Sequence, residues 1–555
     1  MFRPINKHLN DKLMKQNFLP LFFLFVFTLQ VSAQNEKPYA IPTYENAGIY
    51  WKIVDQGDCE VFYKAASDDE WKQGMQLWYD KRNNEYRGSL FKLKPDTEYH
   101  VKLTASSVKV ELDFKTLNDD FPVGKITRLS KGESYETLEV IESGSPDGYH
   151  LITAAKGAKS VINLRNQNTH GIIIKADYVI IRGLEIINAS KDGIIIKGHR
   201  NDVVIEQCRI ANWGSFEFAK NWDAAIKPYE GRGAEGSINR LTIQRNLIED
   251  PNGDSNDWDE PNGTEKTAAG YHPYGPYGIT YIKNGKQIIV RYNDFRGSAD
   301  HYFHDAIQGV NKPGNDIYGN TFRNVWDDAI ESDGDNNNTR IYTNYFSYVY
   351  HPISFVPTKE GPIYVFRNVS GECQRTKSRP AGAHFIKTGA RNSAQKKSRR
   401  YVFHNTILQP NAEHPDGNGA DHAYSQQLNT SVYSRNNVYQ VPFALSQNIQ
   451  NCDFDYDYYC GNADYGELLG ENCILTSDPP GENIIDAGQV IPGVNDDYQG
   501  DAPDMGAFEI GDLLLEFGRR AYLASKDDIA PWEKEETIEE NAKLNQKIKI
   551  LLDYR

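Results

Sequence analysis

The chain has 555 residues, of which 39% are hydrophobic, and a formal net charge of −15. This length exceeds one ordinary domain, so two or more domains are expected, and the hydrophobic fraction suffices for a sizeable core. A strongly acidic chain lacks the basic surface that neutralises phosphates, which excludes a general nucleic-acid binder. Attraction to any other polyanion must therefore be local.

The first segment in chain order has the pattern of an export signal. Residues 14–33 give a basic start at Lys15, then an apolar run, then small residues before Gln34. This order predicts a signal peptide over residues 1–33, with export to the periplasm or beyond. The apolar run is short for a bilayer span, so a membrane anchor is the weaker alternative. No membrane insertion is expected after cleavage.

Cysteine use is compatible with an oxidising compartment. The chain has six cysteines, and Cys452, Cys460 and Cys473 lie close enough in sequence for one disulfide within a loop. Their pairing stays open. None of the six has the spacing of a zinc site.

Residues 38–118 alternate apolar and polar side chains in short runs separated by turns, which predicts antiparallel strands. Within them, LKPDTEY at residues 93–99, followed by HVKLTA, resembles the corner of fibronectin type III domains. In such sandwiches a tyrosine hydroxyl bonds nearby backbone. The resemblance implies a small fibronectin type III-like β-sandwich, and nothing in this segment requires catalysis.

From residue 125 to residue 510, short β-branched runs recur between Gly and Asn residues. Nine runs align at spacings of 24 to 47 residues, on Gly183, Cys208, Asn246, Asn293, Asn320, Asn344, Asn368, Asn405 and Asn437. One coil of about 24 residues, with loop insertions, explains these spacings. The pattern predicts an all-β, right-handed parallel β-helix, a pectin-lyase-like solenoid, in which the Asn column is structural. Residues 511–555 are predicted to form a charged helical tail.

A second column lies on the strand that opens each coil, in runs such as DAAI, HDAI and DDAI. Its isoleucines are predicted to stack inward: Ile194, Ile226, Ile279, Ile307, Ile330 and Ile353. Asp305, Asp328, His351 and Lys387 lie near them at successive spacings of 23, 23 and 36 residues. Neighbouring strands lie about 4.8 Å apart. These four polar side chains are therefore predicted to fall at equivalent places along one line.

The order Asp, Asp-Asp, His, Lys on successive coils resembles the pectinase-type β-helix glycoside hydrolases. The matching positions are Asp305 in HDAIQG, Asp327 and Asp328 in WDDAIES, His351 in YHPISF and Lys387 in FIKTG. Phe385 stands where that family has an arginine, and His351 lacks its glycine neighbours. The resemblance covers about residues 290 to 390 and supports the fold better than the reaction.

Each of these residues has a structural alternative. Asp327 and Asp328 are of a type that commonly bonds turn amides. His301, His304 and His351 lie within 51 residues of one another, which favours a shared site. A single buried histidine is nevertheless ordinarily a satisfied core residue.

An acidic run and a basic block add two ligand hypotheses. Glu331, Asp333 and Asp335 offer oxygens for Ca2+, with an acidic surface turn as the alternative, so Ca2+ is the one cofactor suggested and no metal ligand is assigned. Between residues 372 and 413 the chain has nine Lys or Arg and no Asp or Glu. In an acidic chain this block suggests an anionic ligand, with a solvated loop as the alternative.

The candidate substrate-binding residues are Tyr302, Glu331, Arg379 and Arg391. An anionic sugar chain met outside the cytoplasm suggests a uronate or sulfated polysaccharide. The carboxylate of a uronate acidifies the neighbouring proton, so an enzyme that neutralises it can remove that proton and expel the β substituent. That chemistry is unavailable to neutral sugars.

The layout of signal, fibronectin-like domain and β-helix resembles the β-helix enzymes of marine bacterial ulvan utilisation systems, most closely those that dehydrate ulvan oligosaccharides. The resemblance implies a carbon-oxygen lyase that acts by β-elimination, with a dehydratase removing water from a terminal uronic acid as the favoured form. The implied roles are base for His304 or His351, neutralisation of the carboxylate for Lys387 or Arg391, and tuning or proton donation for Asp305 or Asp328.

Two other functions stay open. The first is an inverting glycoside hydrolase that uses Asp305 and Asp328 across a bound water. The second is a non-catalytic carbohydrate-binding protein. In each case a monomer with an anionic saccharide as its partner is expected.

Overall fold

The computed structural model of the protein describes residues 36–216, 222–228, 236–253, 275–280, 285–298, 301–309, 312–371, 385–388, 398–408, 421–423, 429–440, 449–450, 453–459, 484–523, 529–530 and 532–533. Within these ranges the regular secondary structure is entirely β, and no helix is long and apolar enough to cross a membrane. The predicted signal peptide, most of the predicted helical tail and four of the six cysteines lie outside them. The other two, Cys59 and Cys208, are free thiols, and burial raises the pKa of each to about 12.

The first described segment consists of seven antiparallel strands that pair in one continuous order. The strands are Tyr39–Pro42, Ala47–Lys52, Cys59–Ala65, Lys72–Asp80, Glu85–Leu90, Glu98–Ala105 and Val108–Lys115. The Tyr99 hydroxyl accepts a hydrogen bond of 2.8 Å from the backbone N–H of Lys94, so the predicted corner geometry is confirmed. A relationship to fibronectin type III domains stays a prediction.

The chain then winds into a parallel β-helix, and each coil adds strands to three stacks, called here sheets 1, 2 and 3. Sheet 1 contains Val123–Arg128, Tyr149–Thr153, Val179–Arg182, His199–Glu206, Ser237–Gln244, Gly285–Arg291, Asp316–Tyr318, Thr339–Tyr342, Ile363–Phe366, Arg400–Phe403, Val432–Arg435 and Asp453–Phe454. Sheet 2 contains Gly132–Ser134, Ser160–Asn163, Glu185–Ile187, Arg209–Ala211, Leu247–Glu249, Asp294–Arg296, Val369–Ser370, Thr406–Leu408, Val438–Gln440 and Tyr458–Tyr459.

Sheet 3 contains Leu138–Val140, His170–Ile174, Asp192–Ile196, Ala224–Lys227, Tyr277–Thr280, Ile307–Gln308, Ile386–Thr388 and Asp421–Ala423. Two longer strands, Thr321–Glu331 and Tyr345–Phe355, run from sheet 2 into sheet 3 without a break. A further pair joins Asn429–Thr430 to Ile449–Gln450. The parallel β-helix is thus the observed architecture.

Both predicted columns are confirmed by the strand register. The isoleucines of sheet 3 pair in sequence from Ile194 to Ile353, are fully buried, and extend to Ile386 on the next coil. In the turn between sheets 1 and 2, each Asn backbone N–H donates to the side-chain oxygen of the Asn one coil on, from Asn246 to Asn437. The ladder is structural, as predicted.

The solenoid also extends beyond the nine predicted coils. The strands Val123–Arg128 and Tyr149–Thr153 precede them, and Asp453–Phe454 follows them. The first two were not among the aligned runs, and their turns carry no Asn. The last was missed because Asp457 takes the place of an Asn and accepts the hydrogen bond from Asn437.

Small residues explain which side chains of sheet 3 face outward. A Cβ added at Gly193 would lie 2.5 Å from a methyl group of Ile210, and one at Gly278 would lie 3.0 Å from the Phe295 ring. At these two positions the residue before the stacked isoleucine therefore points into the core and must stay small, whereas two later coils have Pro352 and the buried Phe385 at this place. In consequence the residue two places before the isoleucine and the residue after it lie on the outer face of sheet 3.

Candidate active site

Three of the four predicted polar residues occupy equivalent places on sheet 3. Asp328 pairs with His351, each two residues before its stacked isoleucine, and Asp305 has the same offset from Ile307. Lys387 differs, because it pairs with Ser354, three residues further along the strand. The predicted equivalence of Lys387 is therefore wrong. The reason is that a loop insertion before this strand makes the chain separation a poor guide to register.

A β-bulge places an additional carboxylate beside this column. Phe303 pairs with Val325, and Val325 pairs with Val349. Counted along the chain, however, the stacked isoleucine lies one residue further from Val325 than it does from Phe303 or from Val349 on their own strands. The extra residue lies in the run Trp326–Asp328. A bulge re-aims side chains locally, and here both Asp327 and Asp328 reach the same ammonium group.

That ammonium belongs to Lys387. Its Nζ donates hydrogen bonds of 3.2 Å to Asp327 Oδ1 and 2.9 Å to Asp328 Oδ2. All three side chains are at least nine-tenths buried. The side chain of Lys387 thus crosses two coils and joins the column that its backbone misses.

Two histidines flank the carboxylates. The Nδ1 of His351 lies 3.4 Å from Asp327 Oδ1 and 3.3 Å from Asp328 Oδ1. The Nε2 of His304 lies 3.7 Å from Asp327 Oδ2 and 3.8 Å from Asp305 Oδ2. Asp305 Oδ1 also accepts the backbone N–H of Asp328 at 3.1 Å, which fixes its position. Asp327 is therefore the centre of the group.

We call these residues the active-site cluster: His304, Asp305, Asp327, Asp328, Glu331, His351 and Lys387. The outward row after the stacked isoleucines supplies Glu331, which pairs with Gln308 on one side and Ser354 on the other. Asp333 lies next to it and accepts hydrogen bonds from the Ser354 hydroxyl and the Val356 N–H. Five carboxylates, including that of Asp333, thus surround one ammonium.

The charges of the cluster are unevenly balanced. Burial raises the pKa of Asp305 well above its usual value, and Glu331, Asp327 and Asp328 add to the effect. Burial also raises the pKa of Glu331, as do Asp333 and Asp328. By contrast, burial alone would raise the pKa of Asp327, but Lys387 and the two histidines outweigh it and hold that pKa well below its usual value.

Two further groups show the same imbalance. Burial raises the pKa of Asp333 to about 6, against the opposing charge of Lys387. Burial alone would lower the pKa of Lys387, but Asp327 and Asp328 outweigh it and hold that pKa well above its usual value. Lys387 is accordingly a cation, while the excess of carboxylates calls for protons or a second cation.

The donor set fits a divalent cation such as Ca2+, which prefers carboxylate oxygens. Asp328 Oδ1 and Glu331 Oε2 are buried atoms without a hydrogen-bond donor. Among the described residues, Asp327 belongs to both side-chain groups compact enough to hold an ion, one with His304 and Asp305 and one with Asp328 and His351.

The calcium set predicted from the acidic run is not the one that the structure brings together. The exposed Asp335 forms an ion pair of 3.3 Å with Lys359, which is the surface-turn alternative. Only Glu331 and Asp333 of that run reach the active-site cluster. The reason is that the chain leaves sheet 3 after Glu331.

The predicted substrate-binding residues have different outcomes. The ring of Tyr302 is partly exposed and lies 4.5 Å from that of Trp326, beside the cluster. Glu331 lies within the cluster, whereas Arg379 and Arg391 lie outside the described residues. The basic block itself is divided, because Arg400 is buried on sheet 1 while Lys387 lies on sheet 3.

Some features of the site were not predicted. The pectinase resemblance matched Asp327 to one of that family's acids, but Asp327 was not among the predicted catalytic residues, because the bulge that aims it has no signal in the spacing. The buried Tyr277 packs its ring edge-on against His304, with 5.6 Å between centroids. Phe385, at the pectinase arginine position, is fully buried in the core, so that family's arginine has no counterpart at this position.

Comparisons with solved structures give a weak likeness to polysaccharide lyases. Pectate lyase Pel9A aligns at 15% identity with a TM-score of 0.38, over 71% of this chain and 91% of that chain. Alginate lyase from Paenibacillus sp. str. FPU-7 aligns at 12% identity with a TM-score of 0.34, over 60% of this chain and 93% of that chain. Alignments at such scores carry no argument about the reaction. No protein-family model matches the chain, and no curated protein matches it in sequence.

Proposed function

We propose that the protein is an exported carbon-oxygen lyase that acts by β-elimination on a uronate-containing saccharide of the ulvan type. The favoured form is a dehydratase that removes water from a terminal uronic acid. The observation that carries this proposal is the contact of Lys387 Nζ and His351 Nδ1 with the same two carboxylates, Asp327 and Asp328. A cation and a base are thereby held side by side on the outer face of sheet 3.

Elimination needs a base with a lone pair directed at the substrate. The carboxylates beside His351 Nδ1 favour the tautomer with its proton on Nδ1, which leaves the lone pair on Nε2. His351 then takes the proton from the carbon beside the uronate carboxylate. The electron pair of that C–H bond forms the new double bond as the β C–O bond breaks.

The hydroxyl group must be protonated to depart as water. The negative charge that develops on the uronate carboxylate must also be stabilised by a nearby positive charge. The raised pKa of Asp305 suits it to donate a proton to the leaving oxygen, which departs as water. The Lys387 ammonium stabilises the negative charge that develops on the carboxylate. A Ca2+ ion held by Asp327 and Asp328 would supply further positive charge there.

The nature of the product tests this proposal. Uronate-ended ulvan oligosaccharides are incubated with the protein, and the products are analysed by mass and ultraviolet absorbance, with pectate and alginate fragments as parallel substrates. A product lighter by one water that absorbs in the ultraviolet supports the dehydratase. Shorter unsaturated products would indicate a polysaccharide lyase. Two shorter saturated sugars would contradict elimination and indicate hydrolysis.

A further inference from the structure

Sheet 3 carries a second group of polar side chains, buried except for a half-buried histidine, on coils that precede the active-site cluster. We call His170, Asp192, Asp223 and Lys227 the distal cluster. Asp192 Oδ1 lies 2.9 Å from Lys227 Nζ, and Asp192 Oδ2 lies 3.2 Å from His170 Nδ1. Asp223 accepts the backbone N–H of Ser215 at 3.1 Å. The group thus contains two carboxylates, one ammonium and one imidazole.

The distal cluster lies on the same outer face as the active-site cluster. Asp192 is two residues before Ile194 and pairs with His170, the offset that Asp328 has from Ile330. Lys227 follows its stacked isoleucine directly, as Lys387 does. The outward row between the two lysines consists of Thr280, Gln308, Glu331 and Ser354. Five strand spacings of about 4.8 Å separate the lysines by about 24 Å.

Aromatic rings connect the two clusters. The ring of Trp222, next to Asp223, is partly exposed and stacks on Tyr277 with 5.8 Å between centroids and 23° between planes. Tyr277 in turn packs edge-on against His304 of the active-site cluster. The side chains from Trp222 through the buried Tyr277 to His304 are therefore in continuous contact.

The two clusters differ in charge. In the distal cluster, Lys227 and His170 face two carboxylates, whereas the active-site cluster has a clear excess of carboxylates over cations. Its side chains offer hydrogen-bond donors and acceptors beside a flat aromatic ring. A sugar ring presents complementary hydroxyls and an apolar face.

We infer that the distal cluster, together with Trp222, forms a subsite that binds another sugar residue of the same saccharide through its hydroxyls and ring face. This inference rests on the proposed function, because it takes the saccharide to lie along sheet 3. A disaccharide whose carboxylate lies at Lys387 is too short to reach Lys227, about 24 Å away. Longer saccharides therefore gain contacts that short ones lack.

The experiment compares the affinities of ulvan disaccharide and octasaccharide by isothermal titration calorimetry, in a His351→Ala background that prevents turnover. Trp222→Ala should weaken octasaccharide binding about tenfold, which is equivalent to about 1.4 kcal/mol, because a stacked ring contributes up to about this much. Disaccharide binding should not change. Removing Lys227 alone would leave a buried charge, so the second variant is the double change Lys227→Met with Asp192→Asn. It should act in the same direction.

The matched control is Lys159→Met. Lys159 is exposed and forms an ion pair of 3.5 Å with Glu185, which lies on sheet 2. This control variant should bind both saccharides as the parent does. The subsite is refuted if Trp222→Ala and the double variant keep the parent affinity for octasaccharide. If those losses occur but the unmodified chain forms no unsaturated product, the subsite stands and the proposed elimination fails.

Discussion

The active-site cluster and the distal cluster use the same residue types on the same face of sheet 3, yet their carboxylates behave differently. Burial alone would raise the pKa of Asp192, but His170 and Lys227 outweigh it and lower that pKa. Burial and neighbouring carboxylates raise the pKa of Asp305. The cations close to each carboxylate decide between these outcomes, since burial and Asp192 raise the pKa of Asp223 within the distal cluster, while Lys387 and two histidines outweigh burial and lower that of Asp327 within the active-site cluster. A balanced group holds its charges in place, whereas an overloaded group favours the uptake of a proton or a metal ion.

The largest expected difference between the clusters is catalytic. His351→Ala should lower kcat by about 10²- to 10⁴-fold, because a positioned general base contributes an effect of this size. The rate is measured from the ultraviolet absorbance of the unsaturated product. His199→Ala, at an exposed histidine whose Nδ1 lies 3.0 Å from the Ser237 hydroxyl, is the control for general effects of histidine removal. If His170→Ala lowers kcat as much as His351→Ala, the clusters do not differ in role.

The next difference concerns stability. Lys227→Met should lower the free energy of unfolding by about 3 kcal/mol, because it leaves the buried Asp192 carboxylate without its ammonium partner. Urea denaturation measures the change. Adding Asp192→Asn to the same chain should recover most of the lost free energy of unfolding. If Lys227→Met alone unfolds at the same urea concentration as the parent, the ammonium of Lys227 does not stabilise the buried Asp192 carboxylate.

Calcium should act on one cluster alone. If Ca2+ binds the carboxylates of the active-site cluster, a concentration one hundred times its Kd stabilises the fold by about 2.7 kcal/mol. Thermal unfolding with added CaCl2 and with EDTA measures this shift. Asp327→Asn should abolish it, and Asp223→Asn should leave it in place. A shift that persists in Asp327→Asn would place the ion elsewhere.

The smallest expected effect is a pH-dependent gain in stability. The pKa of Asp305 is raised on folding, so its contribution to stability is present at low pH and is lost as the pH rises through the folded pKa. In EDTA near pH 8, Asp305→Asn should therefore raise the free energy of unfolding by about 1 kcal/mol while it lowers activity. The gain should shrink toward pH 4. A gain that is constant across this range would not come from ionisation.

Periodicity predicted the scaffold well, because stacked coils repeat the same inward positions. The isoleucine column from Ile194 and the Asn ladder from Asn246 both follow from residue spacing. The corner at Tyr99 followed from one short motif. Each of these features is either local in sequence or repeats once per coil, so it can be recognised from the amino-acid sequence.

The candidate site was predicted only in part, for two physical reasons. Spacing placed Asp305, Asp328 and His351 on one line but misplaced Lys387, since loop insertions change the chain separation without changing the register. Spacing also gave no reason to choose Asp327, because a bulge depends on the pairing of two strands. Charge balance was likewise hidden, since it depends on side chains from several coils.

The bulge in the strand Thr321–Glu331 has an evolutionary consequence. A single extra residue turns one outward aspartate into a pair, and the register of the stacked isoleucines is restored within the same strand. A solenoid tolerates such an insertion because each coil depends chiefly on its immediate neighbours. The insertion or deletion of one codon is therefore a sufficient step to add or remove the second aspartate of the active-site cluster on an otherwise unchanged scaffold.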